Sequence, residues 1–171
     1  MQRRRMASAG TAGIWYVEPT RMAYFPDGER YTYYPQDHEL ACVGWLSVDQ
    51  PFRTATPSAE FLEKLAWLCV NEPELRMRGF HTCDLCPATV ENTETVGSIP
   101  FRRPEHVLVK GRKVLLGSAE IRVRTQRATY AAPNLILHYV SVHHYEPLAD
   151  FIEGVLGSSP EHRLSKWSLS T

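Results

Sequence analysis

The feature that most constrains the fold is the segment of residues 79–87, Gly-Phe-His-Thr-Cys-Asp-Leu-Cys-Pro. It brings two thiols and an imidazole into a short stretch, and these are the side chains that zinc binds most readily. Cys83 and Cys86 have the C-x-x-C spacing of a tight knuckle, in which both sulfurs can reach one ion. His81 can join them, because positions i and i+2 of an extended backbone point to the same side. A closed tetrahedral site needs four ligands, so the chain has to fold until a distant residue supplies the last one.

The sequence offers three histidines for that place, all in a helix predicted over residues 135–144. His138 and His143 are five positions apart, which is about 140° around an ideal helix, so we expect only one of them to reach a given ion. His144 and His143 are favoured because a helix end is adaptable, whereas His138 is typical of a core histidine. His38 and His106 are weaker candidates. The predicted zinc ligands are His81, Cys83, Cys86 and His144.

Two other interpretations of Cys83 and Cys86 need no metal: free thiols, or a redox pair or disulfide. A redox pair is expected where a helix begins at the C-x-x-C motif. The polar run after Pro87 does not continue such a helix. Cys42 and Cys69 lie in apolar surroundings and are predicted to be small buried side chains.

An enzyme is the alternative function. A zinc deaminase requires H-x-E with P-C-x-x-C, but Thr82 rather than proline precedes Cys83. A metalloprotease requires H-E-x-x-H, which does not occur. A Cys- or metal-dependent hydrolase that uses the same Cys/His cluster remains open; in the thiol form, Cys83 or Cys86 is the nucleophile. Its base and orienting group would come from His138 or His144 and from Asn134 or Asp84.

Composition excludes several function classes. Lys plus Arg and Asp plus Glu both number 19 in the 171 residues, so the net charge is zero. The chain therefore lacks the overall charge that favours nucleic acid or an anionic membrane. The basic start is not followed by the apolar segment of a signal peptide, and no apolar run is long enough to cross a bilayer. We expect a soluble, cytoplasmic protein.

Periodicity predicts a single α+β domain with a mostly antiparallel sheet and about three helices. Its expected bounds are residues 13–157, after a disordered leader (1–12) and before a flexible tail (158–171). Thr56 and Pro57 are predicted to open the first helix, which ends before Pro73. The second and third helices are expected at 135–144 and 147–156.

Alternation and turn residues place the strands. The predicted strands are at residues 13–17, 31–34, 41–48, 75–80, 107–109, 113–117, 119–124 and 129–132. Residues 87–106 have neither period and are predicted to form a loop. Glu120, Arg122 and Arg124 share one face of their strand, which is expected to face solvent rather than to bind an anion.

Several motifs together resemble a family of small bacterial proteins of unknown function. They are the segment Gly79–Cys86, Gly-Ser-Ala-Glu-Ile-Arg-Val at 117–123, Tyr-Ala-Ala-Pro-Asn-Leu-Ile-Leu-His-Tyr-Val at 130–140 and His-Tyr-Glu-Pro at 144–147. The resemblance runs from about Tyr24 to Leu156 and implies a compact bacterial domain without assigning an activity. Combined with the zinc motif, it leads us to expect a binding or regulatory protein, of an immunity-like accessory kind, that acts on another protein.

Overall fold

The structure is a computed structural model, and it describes residues 23–35, 38–89, 91–97, 99–109 and 111–158. The helices are α1 (Ala59–Asn71), α2 (Ile136–His143) and α3 (Ala149–Gly157). The strands are β1 (Ala41–Cys42), β2 (Thr93–Val96), β3 (Ile99–Arg102), β4 (His106–Val109), β5 (Arg112–Leu115), β6 (Glu120–Arg124) and β7 (Thr129–Pro133). Three helices with mostly antiparallel strands confirm the predicted α+β class. The predicted leader, the strand at 13–17 and residues 159–171 of the tail lie outside the described residues.

The central sheet has the strand order β1-β7-β6. β7 pairs antiparallel with β6, from Glu120 opposite Pro133 to Arg124 opposite Thr129, and pairs parallel with β1. Its small residues Ala131 and Ala132 are fully buried, as expected of a central strand that is covered on both faces. The chain leaves β7 directly into α2, which places α2 at the end of the sheet.

Helix α1 has the amphipathic pattern that the sequence predicts. Its buried stripe repeats at helical spacing and consists of Phe61, Leu65, Leu68 and Cys69. The N-cap is Ser58, whose hydroxyl accepts a hydrogen bond from the Phe61 amide at 3.2 Å. Thr56 was the predicted cap, so the helix begins two residues later than expected.

Helices α2 and α3 are short, with eight and nine residues. Both bury one face, and most of α2 lies in the core. Among the described residues, no helix combines the length and the apolar character needed to cross a membrane.

Four predicted strand or loop assignments differ from the structure. The segment 31–34, predicted to be a strand, belongs to no strand. The strand expected at 41–48 ends at Cys42, since Gly44 takes a left-handed conformation with φ +75°. The segment 75–80 is not a strand, since Leu75 has φ +45°. Residues 87–106 are not a loop throughout, because β2 and β3 form an antiparallel hairpin there.

The face of β6 predicted to be solvated is largely buried. Glu120 is 1 % exposed, and its carboxylate accepts hydrogen bonds from the Tyr31 hydroxyl at 2.7 Å and the Arg122 guanidinium at 2.5 Å. The guanidinium also lies over the Tyr31 ring, 5.3 Å from its centre. A charged side chain can be buried when it is paired with an opposite charge, whereas an unpaired charge rarely is. Alternation along the strand does not show this pairing, and it therefore assigned the face to solvent.

Candidate metal centre

Four soft ligand atoms converge next to the core. The Sγ atom of Cys86 lies 3.3 Å from Nε2 of His138 and 3.2 Å from Nε2 of His143, and Sγ of Cys83 lies 3.2 Å from Nε2 of His143. All four atoms are within 4.8 Å of one another. We call Cys83, Cys86, His138 and His143 the Cys2His2 cluster; it is a set of side chains that could hold a metal ion.

The two cysteines lie on a tight turn of the knuckle that the C-x-x-C spacing predicts. The Cys86 amide donates to the Cys83 carbonyl at 3.3 Å. The amides of Leu85 and Cys86 also donate to the Cys83 sulfur, and this opposes the rise in its pKa. Amides aimed at a sulfur stabilise its thiolate, so the turn prepares Cys83 to be a ligand.

The knuckle is fixed to the body of the domain through Gly117. The His81 amide donates to the Gly117 carbonyl at 2.8 Å, and the Gly117 amide donates to the buried side chain of Asn134 at 2.7 Å. Gly117 has φ +88°, and a Cβ atom there would overlap the His81 carbonyl oxygen. Only glycine fits both the conformation and the space.

Both histidines of the cluster come from α2, although their spacing on an ideal helix argued against it. That argument was wrong because α2 does not end as an ideal helix. The amides of His144 and Tyr145 both donate to the Tyr139 carbonyl, across five and six residues. A wider last turn brings side chains five positions apart nearer to one face, and the rings of His138 and His143 lie 5.1 Å apart.

Two of the predicted ligands, His81 and His144, are not members of the cluster. His81 precedes the knuckle, and its Nδ1 is buried with no hydrogen-bond partner among the described residues. His144 has a left-handed backbone with φ +54°, caps α2 and is exposed. The structure thus unites the predicted Cys83 and Cys86 with two histidines of the predicted helix.

A buried ion pair lies beside the knuckle. Arg102, at the end of β3, donates from Nη1 to the Cys83 carbonyl at 2.8 Å, and its Nη2 lies 3.6 Å from the Glu105 carboxylate. Their side chains are 18 % and 10 % exposed. Sequence patterns did not single out this pair, because both residues lay in a stretch predicted to be a loop.

Burial favours the neutral forms of Cys83, His138 and His143 when no cation is present. It raises the pKa of the Cys83 thiol to about 12, with a further rise from Cys86. It lowers the pKa of His138 to about 4, helped by His143 and Arg102, and it also lowers the pKa of His143. A neutral imidazole is the ligand form, and a bound cation deprotonates a coordinating thiol. The cluster is therefore suited to exchange thiol protons for a metal ion.

The metal-free protein should lose stability in acid because of His138. Its imidazole binds a proton in the unfolded chain below about pH 6.5 but, when folded, only near its lowered pKa of about 4. The unfolded state binds more protons in this interval, so the free energy of unfolding should fall as the pH drops from 6.5 to 4. We expect a loss of about 1–2 kcal/mol, limited by the partial exposure of the ring.

Urea unfolding of chelator-treated protein at pH 7, 5.5 and 4.5 measures this effect. His138→Gln should flatten that part of the pH profile. An unchanged profile in the variant would show that other groups cause the acid sensitivity.

Comparison with known proteins identifies a family for this chain. No curated protein and no solved structure matches the chain. Residues 23–156 match the family described as "Domain of unknown function (DUF7919)", a span that includes the sheet, the knuckle and almost all of α3. The chain belongs to this DUF7919 family.

Proposed function

We propose that the chain is a zinc-binding domain in which the Cys2His2 cluster holds one structural Zn²⁺ ion. The observation that carries this proposal is the convergence of two sulfurs and two imidazole nitrogens within 4.8 Å of one another. The ligands come from the knuckle and from α2, so one ion would join segments that are more than fifty positions apart. A metal crosslink of this kind stabilises the folded state directly.

Zinc is the ion that best suits these donors. Tetrahedral zinc with bonds of about 2.3 Å to sulfur and 2.0–2.1 Å to nitrogen places S and N about 3.5 Å apart. Three of the four S···N distances are 3.2–3.3 Å, so these pairs would need to separate by only a few tenths of an ångström to bind an ion. Mixed thiolate and imidazole ligands favour zinc over calcium or magnesium, which prefer oxygen.

The number of protein ligands supports a structural rather than a catalytic ion. Four protein ligands complete a tetrahedron, whereas catalytic zinc keeps one position open for water. Cys83 is fully buried. A cavity of about 550 Å³ lies elsewhere, between β6 and α3, and no member of the cluster lines it.

The same features weigh against Cys83 as the nucleophile of a thiol hydrolase. A nucleophilic cysteine needs a lowered pKa and access to substrate, but burial raises the pKa of Cys83 to about 12. We therefore favour a binding or regulatory role, in which the metal maintains a surface that another protein recognises.

Single substitutions test which histidines bind the ion. We expect His138→Gln and His143→Gln each to lower zinc affinity by more than roughly 100-fold, because each removes a ligand from the buried site. His81→Gln and His144→Gln are the matched controls and should stay within about 3-fold of the wild type. Competition with a chromophoric chelator measures the affinities. Loss of affinity in the His81 and His144 variants, with the other two unaffected, would support the ligand set predicted from sequence instead.

A further inference from the structure

The hairpin of β2 and β3 is attached at its base to the cysteine knuckle. On the β2 side, the Asn92 side chain donates to the Pro87 carbonyl at 3.1 Å and accepts from the Thr89 amide at 2.8 Å. On the β3 side, Arg102 donates to the Cys83 carbonyl at 2.8 Å. The two strands therefore both begin from, or return to, the segment that carries the metal ligands.

Arg102 is the buried component of this attachment. Its Nε and Nη2 atoms, and Oε2 of its ion-pair partner Glu105, are buried without hydrogen-bond partners among the described residues. Burying polar atoms without hydrogen-bond partners destabilises the folded state. The Arg102 guanidinium would therefore stay in this place only while its remaining partners, the Cys83 carbonyl and Glu105, are held in position.

Beyond its base, the hairpin has few contacts with the other described helices and strands. The residue contacts of β2 and β3 are mainly with each other. Phe101 is 39 % exposed, and the ion pair between Arg103 and Glu94 lies on the surface. A two-stranded hairpin is at best marginally stable on its own, so its order depends on what holds its base.

We propose that occupancy of the metal site controls the order of the β2–β3 hairpin, with Arg102 as the residue that couples the two. The inference rests on the proposed zinc site. Zinc fixes the turn between Cys83 and Cys86, the fixed Cys83 carbonyl holds Arg102, and Arg102 holds β3 against the knuckle. Because coupling between two sites is reciprocal, the hairpin in turn strengthens zinc binding.

Hydrogen exchange of the zinc-loaded, full-length protein tests this coupling. The reporters are the amides of Glu94 and Phe101, which face each other in the ladder. The Arg103 amide bonds to the Asn92 carbonyl, and alternation along an antiparallel ladder then makes the Glu94–Phe101 pair hydrogen-bonded as well. In Arg102→Met we expect these amides to exchange at least about ten-fold faster, with zinc affinity about ten-fold lower.

Arg103→Met is the matched control, because it removes a neighbouring arginine that is paired only at the surface. It should leave both readouts near the wild-type values. Amides of β6 and β7 should keep their protection in each variant and thereby report that the fold is intact. Arg102→Lys, which retains the charge but not the planar fork, should lie between wild type and Arg102→Met in both readouts.

The possible outcomes distinguish failure of the zinc site from failure of the coupling. Wild-type protein that takes up no zinc would refute the zinc site itself. Protein that binds zinc, but whose hairpin amides exchange at the same rate in wild type and Arg102→Met, would refute the coupling and leave the zinc site standing. Faster exchange in the hairpin of Arg102→Met but not of Arg103→Met, with a parallel loss of zinc affinity, would support the coupling.

Discussion

Changing either Cys83 or Cys86 to serine is expected to abolish stoichiometric zinc binding and to lower the free energy of unfolding by at least about 3 kcal/mol. A serine hydroxyl is a poor zinc ligand, and the knuckle would lose its connection to α2. The Cys83 variant would also place a hydroxyl in a fully buried position, where an unpaired polar group is costly. Metal content by elemental analysis and urea unfolding of purified variants measure both effects.

Cys42→Ser and Cys69→Ser are the matched controls for this experiment. Both cysteines are buried in the core and are not members of the cluster, so their variants should lose stability but keep one zinc per chain. The contrary result would be Cys83 and Cys86 variants that melt like wild type and retain their metal, which would assign these sulfurs to ordinary core packing.

Gly117→Ala is expected to be the most damaging substitution away from the ligands. The new Cβ atom would overlap the His81 carbonyl oxygen, and the backbone at φ +88° disfavours any side chain. Relief would require the segment before the knuckle to move away from Gly117, which breaks the hydrogen bond from the His81 amide. We expect the free energy of unfolding to fall by about 3 kcal/mol or more, together with weaker zinc binding.

Gly79→Ala provides the control for this effect. Gly79 precedes the knuckle by a few residues, its φ is not positive, and a Cβ atom there meets nothing within 4 Å. Its variant should unfold within about 0.5 kcal/mol of wild type. If Gly117→Ala proved equally harmless in urea unfolding, the close contact between Gly117 and His81 would not be essential to the fold.

Part of the candidate metal centre could be predicted from the sequence. The C-x-x-C spacing identified Cys83 and Cys86, and the cluster of histidines identified α2 as the source of further candidate ligands. The pairing of His138 with His143 could not be predicted, because it depends on a widened last turn that the amides of His144 and Tyr145 close on one carbonyl. The sequence signal for this pairing was the presence of two histidines near the predicted end of the helix.

The fold, too, could be predicted only in part from the sequence. Hydrophobic periodicity predicted the three helices, and alternation predicted β4, β5, β6 and β7. The β2–β3 hairpin escaped prediction since it packs little against the core, so its residues carry no buried-face alternation. Pro100 occupies a strand position, although proline cannot donate to a ladder. It is tolerated because it faces Thr95 at a position that makes no ladder hydrogen bond.

X-ray absorption at the zinc edge, on the purified full-length protein, tests the central proposal most directly. The Cys2His2 assignment predicts one zinc per chain with two sulfurs at about 2.3 Å and two nitrogens at about 2.0–2.1 Å. The same measurement on the Cys83→Ser and Cys86→Ser variants should show little or no bound zinc. A wild-type protein without zinc, or zinc coordinated by oxygen and nitrogen without sulfur, would contradict the proposal.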